Sequence, residues 1–126
     1  MIHIYLSGQI RNKRKVEQFC HDCLEHFFKG RLKREIDIEV RISKSLEDNS
    51  AGGCYGDDEH IVIEVAKGFQ IPNQHYTPYD YKEVIVTLAH ELVHAKQHIR
   101  KEEVTCPKRE FEAYNLEYDL YDMYWN

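Results

Sequence analysis

The sequence predicts an α+β domain in which helices cover a small twisted mixed sheet. Residues 36–42, Ile-Asp-Ile-Glu-Val-Arg-Ile, alternate strictly between apolar and polar types, the period of a half-buried strand. Val16, Phe19, Cys20, Cys23, Leu24, Phe27 and Phe28 recur at three- and four-residue spacing, the period of an amphipathic helix. Val84, Ile85, Leu88, Ala89, Leu92, Val93 and Ala95 repeat that helical period, and neither Pro nor Gly interrupts between Tyr79 and Lys101. A chain of 126 residues supplies one core, so residues 1–126 are expected to form a single domain.

Taken in order, residues 2–6 are β-prone and predict a short first strand, ended by Ser7-Gly8. A helix follows from about Lys13 to Phe28, with Gly30 placed to close it. The second strand is 36–42. Residues 44–58 carry Gly52, Gly53, Gly56 and several Ser, Asn and Asp, which predicts a turn-rich connection. Residues 60–66 predict a third strand, placed at the sheet edge and paired with 36–42. Gly68 to Tyr79 reads as irregular. Asp80 and Glu83 have capping-box spacing at the head of the next helix. The last helix is expected from about Lys108 to Tyr124, with Phe111, Tyr114, Leu116, Tyr118, Leu120, Tyr121 and Trp125 giving an aromatic face.

The net charge of −5 offers nothing to a nucleic-acid backbone or an anionic membrane, so neither is an expected partner. The runs 11–15 and 29–34 are basic but read as solvated helix ends. Residues 1–6 are too short and polar for a signal peptide, and no run reaches bilayer length. A cytoplasmic chain with reduced cysteines is expected. Cys20 and Cys23 lack a second ligand pair, which makes them buried thiols rather than a zinc site.

The chemistry is concentrated in His90-Glu91-Leu92-Val93-His94. On a helix, residues four apart lie about 40° apart around the axis and roughly 6 Å along it, so both imidazoles leave one face and can share a Zn²⁺. Glu91, one residue on from the first histidine, is placed as a general base rather than a ligand. A catalytic zinc takes a third protein ligand. His98 lies roughly 12 Å from His90 along the axis, too far to share the ion, and no histidine follows it. A carboxylate from the last helix remains, from Glu110, Glu112 or Glu117. Glu110 and Glu112 are about 200° apart around that helix, so only one can face the metal. Glu112 precedes Ala113, a small residue that allows close helix approach.

An H-E-x-x-H helix followed by Glu112-Ala113 on the next helix resembles the gluzincin class of zinc peptidases, and the small size resembles a minigluzincin. The likeness covers residues 80–124; before them only the order of helix and strands matches. It implies a minimal zincin-like fold with an active-site helix, and a C-terminal helix carrying the third ligand. It further implies one zinc held by His90, His94 and Glu112, with Glu91 as catalytic base for hydrolysis of peptide or protein substrates. Larger gluzincins often carry an acid four residues after the ligand to orient a zinc histidine. That position is Leu116 here, which leaves Asn115, Glu117 or a backbone carbonyl for the task. His75, Tyr76, Tyr114 and Tyr118 are candidates to stabilise an oxyanion. The alternative function is a zinc-dependent peptide-binding or regulatory module, latent or without hydrolysis, with 121–126 as a segment that would cover the site.

Overall fold

The computed structural model describes all 126 residues. Strand β1 (Ile2–Ser7), helix α1 (Lys13–Phe28), strand β2 (Ile36–Ser43), strand β3 (Gly52–Gly56) and strand β4 (His60–Ala66) come first. A two-stranded ribbon of β5 (Gly68–Phe69) and β6 (Thr77–Pro78) then leads into helix α2 (Tyr81–Ile99), and helix α3 (Cys106–Tyr124) closes the chain. The main sheet has the order β1-β2-β4-β3. β1 and β4 both run parallel to β2, and β3 runs antiparallel to β4. The α+β class with a mixed sheet is thus as expected.

Alternation in β2 does what its period requires. Ile36, Ile38, Val40 and Ile42 are buried, whereas Asp37, Glu39, Arg41 and Ser43 point to the other face. There Arg41 Nε donates to Glu39 Oε1 at 2.8 Å and Tyr55 OH donates to Glu64 Oε1 at 2.8 Å. Ile61, Ile63 and Val65 of β4 join the buried row. α1 contributes Val16, Phe19, Cys20, Cys23 and Leu24 to the same core, and Lys29 and Gly30 end it in left-handed conformation. α2 is buried on most of its circumference because it is packed on the sheet and α1 on one side and α3 on the other.

Several expectations are corrected. Residues 52–56 form a strand rather than part of a loop, although three of the five are glycine. They pair with the β-rich 60–66 from Gly52↔Val65 to Gly56↔Ile61. β3 therefore holds the sheet edge, and β4, expected there, lies inside. Asp80 occupies the N-cap position of α2, yet its side chain makes no capping hydrogen bond. α3 begins two residues earlier than expected, with Pro107 in its first turn where a missing N–H costs nothing. Its aromatic residues do not share one face. Leu120, Tyr121 and Trp125 are buried, while Phe111, Tyr114 and Tyr118 are 71%, 65% and 52% exposed. Trp125 packs edge-on against Phe19 at 5.7 Å, so the C-terminal segment covers core rather than any cleft. No helix is long and apolar enough to cross a membrane. All four cysteines are free, with Cys20 and Cys23 buried.

Candidate metal centre

Glycine brings the sheet edge against α2. A Cβ on Gly52 would stand 2.9 Å from the Glu64 carbonyl oxygen, 2.9 Å from Thr87 Cγ2 and 3.1 Å from Glu91 Oε2. Any larger residue would push β3 off the helix. The cleft between β3, α2 and α3 has a volume of about 780 Å³, and His90, Glu91, His94, Glu110, Tyr114 and Glu117 are among its lining residues.

His90 and His94 project from one face of α2, as their spacing requires. Their Nε2 atoms are 3.3 Å apart. One carboxylate faces both: Glu110 Oε2 is 3.0 Å from His90 Nε2, and Glu110 Oε1 is 3.0 Å from His94 Nε2. These three residues form the group that can hold a metal ion.

The far side of each ring decides what faces inward. Glu117 Oε2 lies 2.9 Å from His90 Nδ1. Gln97 Nε2 donates to the Arg109 carbonyl at 3.1 Å and to Glu112 Oε1 at 2.9 Å, which turns the amide oxygen to His94 Nδ1 at 2.8 Å. An oxygen acceptor at each Nδ1 calls for a proton there, and a neutral imidazole then has a bare lone pair at Nε2. With each Nδ1 facing its own oxygen partner, the two Nε2 atoms and the Glu110 carboxylate converge on one point. A cation at that point would be shared by all three groups. The spacing also fits, because two ligands at about 2.05 Å from a tetrahedral zinc stand about 3.3 Å apart.

Glu112, expected as the third ligand, is not in this group. Its carboxylate accepts from Lys96 Nζ at 2.7 Å and from Gln97 Nε2. Ala113 and Leu120 are fully buried at the seam where α3 meets α2. On a helix, Glu110 and Glu112 fall roughly 80° to either side of that seam, so they reach opposite flanks of α2. The flank of Glu110 holds the imidazoles, and that of Glu112 holds an ammonium. A sequence signal for this existed. Glu110 and Glu117 are seven residues apart and share a stripe to within about 20°, which suits one acid to the metal and one to a ligand ring. Of the three alternatives to an acid at Leu116, Glu117 takes the orienting role for His90. Gln97, which orients His94, was not anticipated.

Glu91 is 6% exposed and lies beside Gly52. Burial pushes its carboxyl up to about 7; the nearby His90 opposes this, and the charges of Glu110 and Glu117 reinforce it. Tyr114 packs edge-on against the His90 ring at 4.7 Å between centroids and lines the cleft, as does Tyr118. The other two oxyanion candidates are elsewhere. Tyr76 OH donates to the Lys44 carbonyl at 2.8 Å, and neither it nor His75 lines the cleft. His98 lines the cleft but is not one of the three clustered residues.

No family model matches the chain, and no curated protein or solved structure matches it.

Proposed function

We propose that the chain is a zinc-dependent peptidase of the gluzincin type, built as a minimal zincin-like domain. The observation that carries the proposal is the convergence of the His90 and His94 Nε2 atoms and the Glu110 carboxylate on one point, with Glu91 beside it. His90, His94 and Glu110 would hold the ion, and imidazole with carboxylate suits zinc among the divalent metals. When bound, the ion would supply Lewis acidity, making a water more acidic and polarising the scissile carbonyl.

The chain's own residues do the rest. Glu91 is buried next to the cluster and takes the proton of the attacking water, then returns it to the leaving amine. Glu117 and Gln97 hold the two rings so that their lone pairs stay inward. β3 has one free edge, which offers backbone hydrogen bonds to an extended peptide laid along the cleft. Tyr114 and Tyr118 supply phenolic hydroxyls at the cleft wall for the developing oxyanion.

The test is hydrolysis of an unfolded protein substrate by zinc-loaded protein and by its Glu91→Gln variant. Hydrolysis should vanish in the variant while zinc content is retained. Equal hydrolysis in both would overturn the assignment of Glu91. The alternative, a metal-dependent peptide-binding module, draws on the same free edge of β3; it predicts peptide capture that Glu91→Gln leaves intact and hydrolysis in neither protein.

A further inference from the structure

Lys96 is 3% exposed, and the proposed hydrolysis makes no use of it. Its ammonium contacts Glu112 Oε1 at 2.7 Å and Glu102 Oε2 at 2.9 Å, and it lies 5.5 Å from the Phe27 ring centroid. Burying an ammonium costs free energy that its ion pairs only partly recover, and an apolar side chain of similar size would hold a helix seam at least as well. What an apolar residue would not provide is a carboxylate fixed in place. Glu112 is that carboxylate, and the same oxygen that meets Lys96 accepts from Gln97 Nε2.

We propose that Glu112, anchored by Lys96, is a positioning residue that fixes through Gln97 which ring nitrogen His94 presents to the cluster. A glutamine amide has two faces of similar shape and opposite polarity. With its nitrogen toward His94, it would favour the tautomer protonated at Nε2, and the cluster would lose a lone pair. Two acceptors prevent that reversal, the Arg109 carbonyl and Glu112. His90 needs no such device, because a carboxylate has no donor face and Glu117 touches it directly. The chain Lys96–Glu112–Gln97–His94 thus gives His94 the orientation that Glu117 alone gives His90. The consequence for zinc rests on the metal reading above, but the consequence for the ring does not.

The experiment has two readouts on the whole chain. Ring-nitrogen NMR of ¹⁵N-histidine-labelled, metal-free protein reports tautomers, and competition with a chelator reports zinc affinity. In the wild type, His94 should be a single tautomer protonated at Nδ1. In Glu112→Ala, with the Arg109 carbonyl as the only remaining acceptor, His94 should become a mixture while His90 is unchanged. Zinc affinity should fall about 10- to 100-fold, the usual effect of losing an orienting partner, with stoichiometry unchanged. Glu102→Ala removes the other partner of Lys96 without touching Gln97, so it should leave the His94 tautomer and the affinity within about twofold.

An unchanged His94 tautomer in Glu112→Ala would overturn the proposal, as would an equal effect from Glu102→Ala. Loss of all zinc in Glu112→Ala, matching Glu110→Ala, would make Glu112 a ligand instead. Should Glu112→Ala fail to fold, Glu112→Leu carries the same expectation, because it fills similar space and offers Gln97 no acceptor. Should wild-type protein bind no zinc, the metal reading falls, and the ring measurement alone decides the positioning role.

Discussion

Removing the carboxylate of Glu110 should have opposite consequences with and without metal. In the metal-free chain its two oxygens lie 3.0 Å from the Nε2 atoms of His90 and His94, and its charge adds to those that act on Glu91 from this acidic cluster. Glu110→Ala takes away an anion from an acidic, partly buried cluster, and its side chain is 48% exposed, so little packing is lost. Thermal stability of the metal-free variant should equal or slightly exceed that of the wild type. Zinc reverses the comparison. An ion at about one hundred times its Kd stabilises the folded state by about 2.7 kcal/mol. For a domain of this size that is worth roughly 10 °C in Tm. Wild-type protein should show a shift of this order between chelator and saturating zinc, and Glu110→Ala should show almost none. Differential scanning fluorimetry of both proteins, each with and without zinc, checks this. A residue that merely held α3 against α2 would lower Tm in both conditions and leave the zinc shift in place. That outcome would refute the placement of Glu110 at the metal.

Other expectations follow from packing and exposure. Gly52→Ala puts a methyl within 3.1 Å of Glu64, Thr87 and Glu91; it should destabilise by about 1–3 kcal/mol in denaturant titration and weaken peptide hydrolysis together. Ile38 is fully buried in the row of β2, and Ile38→Ala should cost about 2–5 kcal/mol by the same titration, with metal binding intact in the folded fraction. Burial, reinforced by the charge of Glu17, pushes the Cys20 thiol up to about 12. Alkylation of native Cys20 should therefore stay slow at every pH up to about 10, whereas the exposed Cys106 should react in the native protein; mass spectrometry of labelled peptides separates the two. Trp125→Ala removes a ring packed on Phe19 and Tyr81; it should destabilise by about 3–5 kcal/mol and leave zinc affinity unchanged, because this end of α3 faces the core.

What was legible in the sequence is what local periodicity encodes. The strict alternation of 36–42, the three- and four-residue apolar spacing of α1 and the uninterrupted α2 each reappear with the burial they predict, Phe27 alone being only partly buried. The H-E-x-x-H works the same way, since two histidines four apart on a helix have no choice but to share a face. β3 was not legible, because its three glycines suppress every strand signal. It is a strand because β4 offers a partner and because Gly52 must pass close to α2, and both are tertiary facts. The aromatic residues of α3 misled for a related reason. Tyr114 and Tyr118 line the cleft and Phe111 is exposed to solvent, and nothing in their spacing says which side of the helix is left open.

The exchange of Glu112 for Glu110 has a sharper physical cause. Composition offered three acids on α3, and a helix wheel could show that Glu110 and Glu112 exclude each other, but a wheel has no fixed zero. The zero is set by the seam, through Ala113 and Leu120, and the seam places one acid on each flank of α2. The residues waiting on α2 then decide the roles. Lys96 lies six positions after His90 and about 120° around the axis from it, so it meets the flank the imidazoles do not occupy. A carboxylate arriving there finds an ammonium and forms an ion pair. A carboxylate arriving on the other flank finds two imidazole nitrogens at 3.0 Å, the arrangement that a shared cation would hold together. Lys96 was readable in the sequence from the outset. A lysine two residues past the second histidine, on the flank where α3 packs, needs acids of its own, and Glu112 and Glu102 are the acids within reach.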